Sequence, residues 1–291
     1  MLFLSSMMLG LTGCQSITTK EAAGPKLPPA QLPDYTPGEF FMFDSGAVYT
    51  VTGHDQGLVL WESNFQSTHR AHRNFVIPDL SWTNRTGSSE GRTTAIPTAL
   101  WPLKVGNTAT IPFSQVVQFN DGSKPPLTIE RNWQCSVVDT ARISVTAGTF
   151  DTFKIECTRN SPISGRWRAT RTFYYAPEVG YYVLREDQHR YDGNSKKQLL
   201  TYGFNSAYLT EEEKQALRGT LNRALTDNPR GEADTWSSAS GKVTAMLVPT
   251  DTLGNACREY RSIYNVNGRI GRPNTRTMCS DGPVGTWTRE K

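Results

Sequence analysis

Between about residues 38 and 208 the chain alternates apolar and polar residues with a period of two. That period limits the fold more than any other feature does. "AVYTVTG" (47–53), "GLVLWESNF" (57–65), "RNWQCSVV" (131–138), "FDTFKIECT" (150–158), "RATRTFYYA" (168–176) and "GYYVLREDQH" (180–189) are rich in Val, Ile, Thr and aromatics. Gly, Pro and Asp break them apart, as turns break strands. No strand–helix alternation supports a parallel sheet. The 37% hydrophobic content, with 24 Gly and 17 Pro in 291 residues, suits a loop-rich β protein. The expectation is a mainly β fold: a curved antiparallel sheet or partial barrel of roughly eight to ten strands over 38–208.

One segment departs from this rhythm. Over 209–229, Thr210 and Glu213 form a T-x-x-E capping box, and Leu217, Leu221 and Leu225 recur at i+4. Asn228-Pro229 ends the run. The spacing predicts a linking helix docked by its leucine edge. Glu211 to Glu213 read as a solvated first turn, favoured there by the helix dipole. Residues 233–291 then form a small β-rich C-terminal domain.

At the other end, MLFLSSMMLGLTGC is too short for a membrane-spanning helix, which needs about 20 apolar residues. Its length suits the apolar region of a secretory signal. Leu11-Thr12-Gly13-Cys14 resembles the bacterial lipobox, in which the cysteine becomes the lipidated first residue. The resemblance implies a signal peptide over 1–13, a lipid on Cys14 and the membrane as a partner through it. Gln15 after the cysteine favours the outer membrane. Residues 14–37, with five prolines and no periodicity, read as a flexible tether.

Setting Cys14 aside leaves Cys135, Cys157, Cys257 and Cys279, for which three pairings exist. The spacing favours 135–157 and 257–279, each 22 apart, and export makes disulfides the default. Parity agrees for the first pair: Trp133, Cys135 and Val137 share one face of a strand, and Phe153, Ile155 and Cys157 share another. Counting back from a tight turn at Ala147-Gly148 sets Cys157 opposite Val138, and a bulge near Asp139-Thr140 would absorb the offset to Cys135.

No C-x-x-C occurs and no histidine lies near a cysteine, so no metal or other cofactor is expected. His69 and His72 form an H-x-x-H pair whose members would face opposite sides of a strand. Gly87-Ser88-Ser89-Glu90-Gly91 matches G-x-S-x-G, but polar, proline-broken flanks lack the strand-turn-helix context of a nucleophile elbow. No catalytic residue is assigned. The net charge of +4 does not indicate nucleic acid. Residues 233–291 hold 8 Lys+Arg against 5 Asp+Glu, a balance that suits a solvated surface and would also suit an anionic envelope polymer or other envelope proteins.

The C-terminal segment carries Trp236, Cys257-Arg258-Glu259-Tyr260, Cys279, Asp281-Gly282 and Trp287. It resembles the C-terminal domain of the bacterial 17 kDa surface antigen lipoproteins of the Rickettsia type over about 234–290. Ser280, where that family tends to have Arg, and a longer gap from Asp-Gly to Trp depart from the pattern. The resemblance implies an envelope location and a small β fold, and brings no catalytic residue. "VTAGTF" (145–150) followed by "YAPEVG" (175–180) is similar to a pattern in uncharacterised periplasmic β proteins; Gly148 serves its tight turn and Pro177 its strand end. The expected function is therefore a structural or binding role for an outer-membrane lipoprotein. A periplasmic module for a lipid or hydrophobic ligand is the first alternative and an envelope hydrolase the second.

Overall fold

The computed structural model describes residues 20–122, 124–161, 163–253, 256–280 and 287–289. A first strand, β1 (Lys20–Ala23), lies outside a closed ring of twelve. The ring begins with β2 (Glu39–Phe43), β3 (Val48–Asp55), β4 (Leu58–Ser63), β5 (Thr68–Ala71), β6 (Ser81–Thr83) and β7 (Gly87–Thr93). It continues through β8 (Thr108–Phe119), β9 (Leu127–Val145), β10 (Gly148–Asn160), β11 (Trp167–Ala176), β12 (Tyr181–His189) and β13 (Gly193–Phe204). Each strand pairs antiparallel with its chain neighbours, and β13 pairs with β2 to close the ring. Closure leaves no strand of the ring without a partner on each side, and β1 covers the stretch of β9 that extends past β8. The partial barrel is thus a whole one, with twelve strands rather than eight to ten.

Its apolar face points inward. On β9, Trp133, Cys135, Val137, Ala141, Ile143 and Val145 are buried, while Asn132, Gln134 and Arg142 are exposed. A barrel facing lipid would carry its apolar band outward; this one keeps it inside. Phe41, Phe43, Val51, Val59, Trp61, Ile111, Phe153 and Ile155 fill the interior. Each such side chain contributes about 1.5–3 kcal/mol by burial. The connection between β5 and β6 also folds in: Phe75 stacks on Tyr175 with centroids 5.4 Å apart. Tight hairpins keep the order of strands. Between Asp55 and Leu58 the loop is Gln56 (φ 49) and Gly57 (φ 81), the paired positive φ of a type I′ turn.

Residues 20–37 are anchored at several points, which corrects, over these residues, the flexible tether expected over 14–37. β1 pairs with β9 from Lys20↔Ser144 to Ala23↔Ala141, along the edge of β9 that β8 leaves free. Ala30 and Leu103 exchange backbone hydrogen bonds of 3.0 and 2.8 Å. Tyr35 is buried, and its hydroxyl donates to the Gly180 carbonyl at 3.0 Å. Proline fixes φ at values that an extended segment lying on a sheet also uses. The missing periodicity reflects scattered anchor points rather than freedom.

After a 3-10 turn (Ser206–Tyr208), α1 (Glu211–Asp227) runs into a second antiparallel sheet. Its strands are β14 (Asp234–Ser237), β15 (Val243–Leu253), β16 (Cys257–Val266), β17 (Arg269–Ile270), β18 (Asn274–Ser280) and β19 (Trp287–Arg289). The capping box is present: Thr210 Oγ1 accepts from the Glu213 N–H, and a Glu213 carboxylate oxygen accepts from the Thr210 N–H, each at 3.2 Å. Leu217, Leu221, Ala224 and Leu225 pack on Leu247 and Tyr260. This is the leucine edge read from the sequence.

The second sheet closes one end of the barrel. Arg269, just past the Asn267-Gly268 turn, donates to the Asp34 carbonyl at 2.7 Å and to the buried Glu39 carboxylate, and lies over the Tyr35 ring. Asn267 Nδ2 donates to Thr36 Oγ1 at 2.8 Å. Phe204, at the end of β13, meets Tyr264 with Trp236, Val243, Ala245 and Val266 around it. Burial pushes the Glu39 carboxyl above its usual range, with the Arg269 charge acting against that rise.

Candidate functional site

Cys14 lies outside the described residues. Cys135 is bonded to Cys157, and Cys257 to Cys279. The first pair are direct partners across β9 and β10. The register differs in detail from the parity count. Gly148 faces Val145 across a two-residue loop, and one bulge follows, where Lys154 faces Asp139 and Ile155 faces Val137. Val138 is the extra residue.

Arg258, Glu259 and Trp287 of the surface-antigen motif have structural roles; Asp281 and Gly282 lie outside the described residues. Arg258 donates to the Leu225 carbonyl at 2.5 Å and the Asn228 carbonyl at 3.0 Å, satisfying the C-terminal end of α1 as a cation does best. Glu259 accepts from Thr250 Oγ1 at 2.8 Å, and Trp287 Nε1 donates to Thr226 Oγ1 at 3.1 Å. Ser89 sits mid-strand in β7, buried, its hydroxyl 3.4 Å from Gln115 Oε1; no strained turn exposes it. His69 is held between Asp79 Oδ2 at 2.8 Å and Ser67 Oγ at 2.9 Å. His72 lies beyond the end of β5, and burial lowers its pKa. Among the described residues no group of three His, Cys, Asp or Glu side chains could hold a metal ion.

The site that stands out was not assigned from the sequence. A cavity of about 260 Å³ lies inside the barrel. Its walls include Trp61, Phe75, Phe173, Tyr181 and Tyr182, and five cations line it: Arg73 from the β5–β6 connection, and Arg131, Arg171, Arg185 and Lys197 from the strands. The strand register explains how they meet. Cys157 faces Arg171, Arg171 faces Asp187, Phe173 faces Arg185, and Arg185 faces Lys197. Arg131 lies two residues before Trp133 and four before Cys135 on β9, on the same inward face. The Arg159 and Arg171 guanidiniums each lie 5.4 Å from the Trp133 ring centre.

Asp187 is the buried counter-charge. Arg185 Nε donates to its Oδ2 at 2.7 Å, and Arg171 Nε donates to its Oδ1. Burial alone would raise its pKa; the two guanidiniums outweigh that and hold the carboxyl below its usual range. Arg131 makes no ion pair among the described residues, and its Nε is buried without a hydrogen-bond partner. Burial, then Arg159 and Arg171, lower its pKa. Lys197 rests over the rings of Phe43 (4.8 Å) and Tyr49 (4.6 Å), and burial with the nearby Arg185 charge brings its pKa down to about 8. Asp79, also on the cavity, is on His69, and Arg73 pairs with Asp34 at 3.5 Å.

The signal in the sequence was parity. Arg171 occupies an inward position with Phe173 and Tyr175, and Arg131 one with Trp133. A charge where alternation calls for an apolar residue marks a lumen.

No protein-family model matches the chain, and no curated protein matches it in sequence. The surface-antigen resemblance therefore rests on the motif residues alone. Among solved structures the chain is similar to the hypothetical lipoprotein YmcC from Escherichia coli (K12). The identity is 10% and the TM-score 0.39, over 56% of this chain and 82% of that one.

Proposed function

We propose that this chain is a lipoprotein of the bacterial envelope whose barrel binds a small ligand in its lumen. The single observation that carries the reading is the 260 Å³ cavity lined by aromatic and polar walls inside the barrel. Ligand sites of about 300–1,000 Å³ combine apolar walls with a few convergent polar groups, and this one falls just below that range. Loop 72–80 fills the space a long acyl chain would need, which favours a compact ligand over the lipid first considered. The reading assigns no chemistry to the site: Ser89 has an amide for a partner, and the inward cations suit binding.

The envelope location rests on Leu11-Thr12-Gly13-Cys14. Two attached acyl chains hold a protein at a bilayer where one binds only reversibly. Cells fed radioactive palmitate should label the wild type at Cys14 and leave Cys14→Ala unlabelled; equal labelling would end this part of the reading. For the barrel, protein taken from membranes under native conditions should release a small molecule on denaturation. An empty lumen, with no small molecule shifting the Trp fluorescence, would favour a second reading. In that reading the barrel and sheet, locked by Arg269 and Glu39, are a rigid spacer.

A further inference from the structure

We propose that the lumen is an anion site, shaped for a compact organic oxyanion with a flat apolar body, gripped by Arg131, Arg171 and Lys197. This rests on the ligand-binding reading above and names the ligand class.

The charge balance comes first. Five cations reach the cavity; Arg73 pairs with Asp34, and Asp187, the buried carboxylate, is already shared by Arg171 and Arg185. Asp79 stands on His69. Arg131 and Lys197 are left without an acidic partner in contact among the described residues. Packing like charges in a partly buried space costs free energy that a bound anion removes. Guanidiniums present planar pairs of donors that match carboxylate and phosphate oxygens. The bonds to Asp187 use the Nε groups of Arg171 and Arg185, which fix both guanidiniums in place.

Size and shape follow from the walls. A cavity of 260 Å³ corresponds to about nine water volumes, at roughly 30 Å³ each. That is the scale of a single ring bearing one acidic group. Trp61, Phe75, Phe173 and Tyr182 offer ring surfaces to the flat body. A second, open cavity of about 800 Å³, lined by Arg92, Arg159, Arg168 and Tyr191, shares Arg131 with the first. Arg131 lines both, and the second cavity also holds the carboxylates Glu130 and Asp192.

The test uses the full chain in detergent, with Trp fluorescence and calorimetry as readouts. The probes are benzoate, phenyl phosphate, inorganic phosphate and the neutral benzamide, each up to about 10 mM, where even a millimolar site is filled. Benzoate or phenyl phosphate should bind, and the better of the two tells carboxylate from phosphate; benzamide should bind at least tenfold more weakly. Arg131→Gln and Lys197→Met should each weaken the anion about tenfold and leave the fold intact. Lys197 is faced by Tyr49, Arg185, Asp44, Asp79 and Asp187. As it loses its proton above about pH 8, wild-type affinity should fall between pH 7 and 10, and Lys197→Met should not share that fall. If benzamide binds as well as benzoate, or if neither substitution matters, the anion inference is overturned while the ligand-binding reading stands. If no probe binds and nothing is released on denaturation, both fall.

Discussion

Lys197 shows how one side chain can be poor for folding and suited to binding. Its unfolded-state pKa is near 10.5, and in the barrel it is about 8. Between those values the folded state holds fewer protons than the unfolded one, so stability should rise with pH across that window. Below pH 8 the full penalty of a buried ammonium applies. Lys197→Met should therefore stabilise the apo protein at pH 7, by an amount on the order of 1 kcal/mol, seen as a rise of about 2–4 °C in the unfolding midpoint. The gain should shrink by pH 10. Burial raises Tyr49, Tyr181 and Tyr182, and their effect on stability has the opposite sign, so wild type and variant must be compared at each pH. A variant less stable than wild type at pH 7 would show that Lys197 contributes more through Tyr49 and Phe43 than it costs. At this scale the sequence was legible where parity was intact. It placed Cys135, Cys157 and Trp133 inward correctly. It also held the inward arginines, whose meaning depends on a lumen that only closure of the barrel creates.

Among elements, β3, β4 and β9 to β12 were read from their alternating runs, while β8 and β13, 12 residues each, went unnamed along with the short strands. β5 (THRA) and β6 (SWT) carry no apolar alternation, and their place in the ring is imposed by β4 and β7. The segment 20–37 was misread for a related reason: Ala30 and Tyr35 anchor it at isolated points that make no period. α1 was read nearly to the residue, because capping box and leucine edge are local features. Thr210→Ala should cost about 1 kcal/mol; Glu213 also accepts from the Ala239 N–H at 3.1 Å, so the loss should be felt in the second sheet too. The two disulfides close loops of equal separation, 22 residues, worth roughly 3 kcal/mol each in the chain-entropy model. Their contexts differ. Cys135–Cys157 joins strands already held in a closed ring, whereas Cys257–Cys279 joins strands of a small sheet. Hydrogen exchange on the double Ala variant at 257 and 279 should show lost protection in β16, β18 and β19 with the barrel unchanged. The variant at 135 and 157 should keep its barrel protected. Equal, global loss in both would mean that the whole chain unfolds as one unit. That small sheet also borrows Leu221, Ala224 and Leu225 from α1, so an isolated 233–291 segment lacks part of its core.

For the whole molecule, barrel and sheet meet through an ion pair taken out of water, Arg269 with Glu39, whose side chains are 12% and 5% exposed. Removing one partner of such a pair typically costs about 3–5 kcal/mol, because the other is left buried and charged. Arg269→Ala should lose about that much at pH 7 in urea unfolding. Glu39 is already raised above its unfolded value, and would be raised further. The folded state then holds the extra proton, so the loss should shrink as pH falls toward 5, and Glu39→Gln in the same background should recover part of it. An equal loss at pH 5 and 7 would point to packing against Tyr35 and Gly180 instead. One further consequence follows from β1. Lys20, six positions after Cys14, is paired with Ser144 beside the β9–β10 turn. Fully stretched, six residues reach about 20 Å. A chain moored by Cys14 would ride close to its bilayer with the Arg269 end down. The second cavity, lined by Arg159, Arg168 and Tyr191 at the opposite end of the strands, would then face the water above, so cargo reaching it would arrive from solution and not out of the membrane.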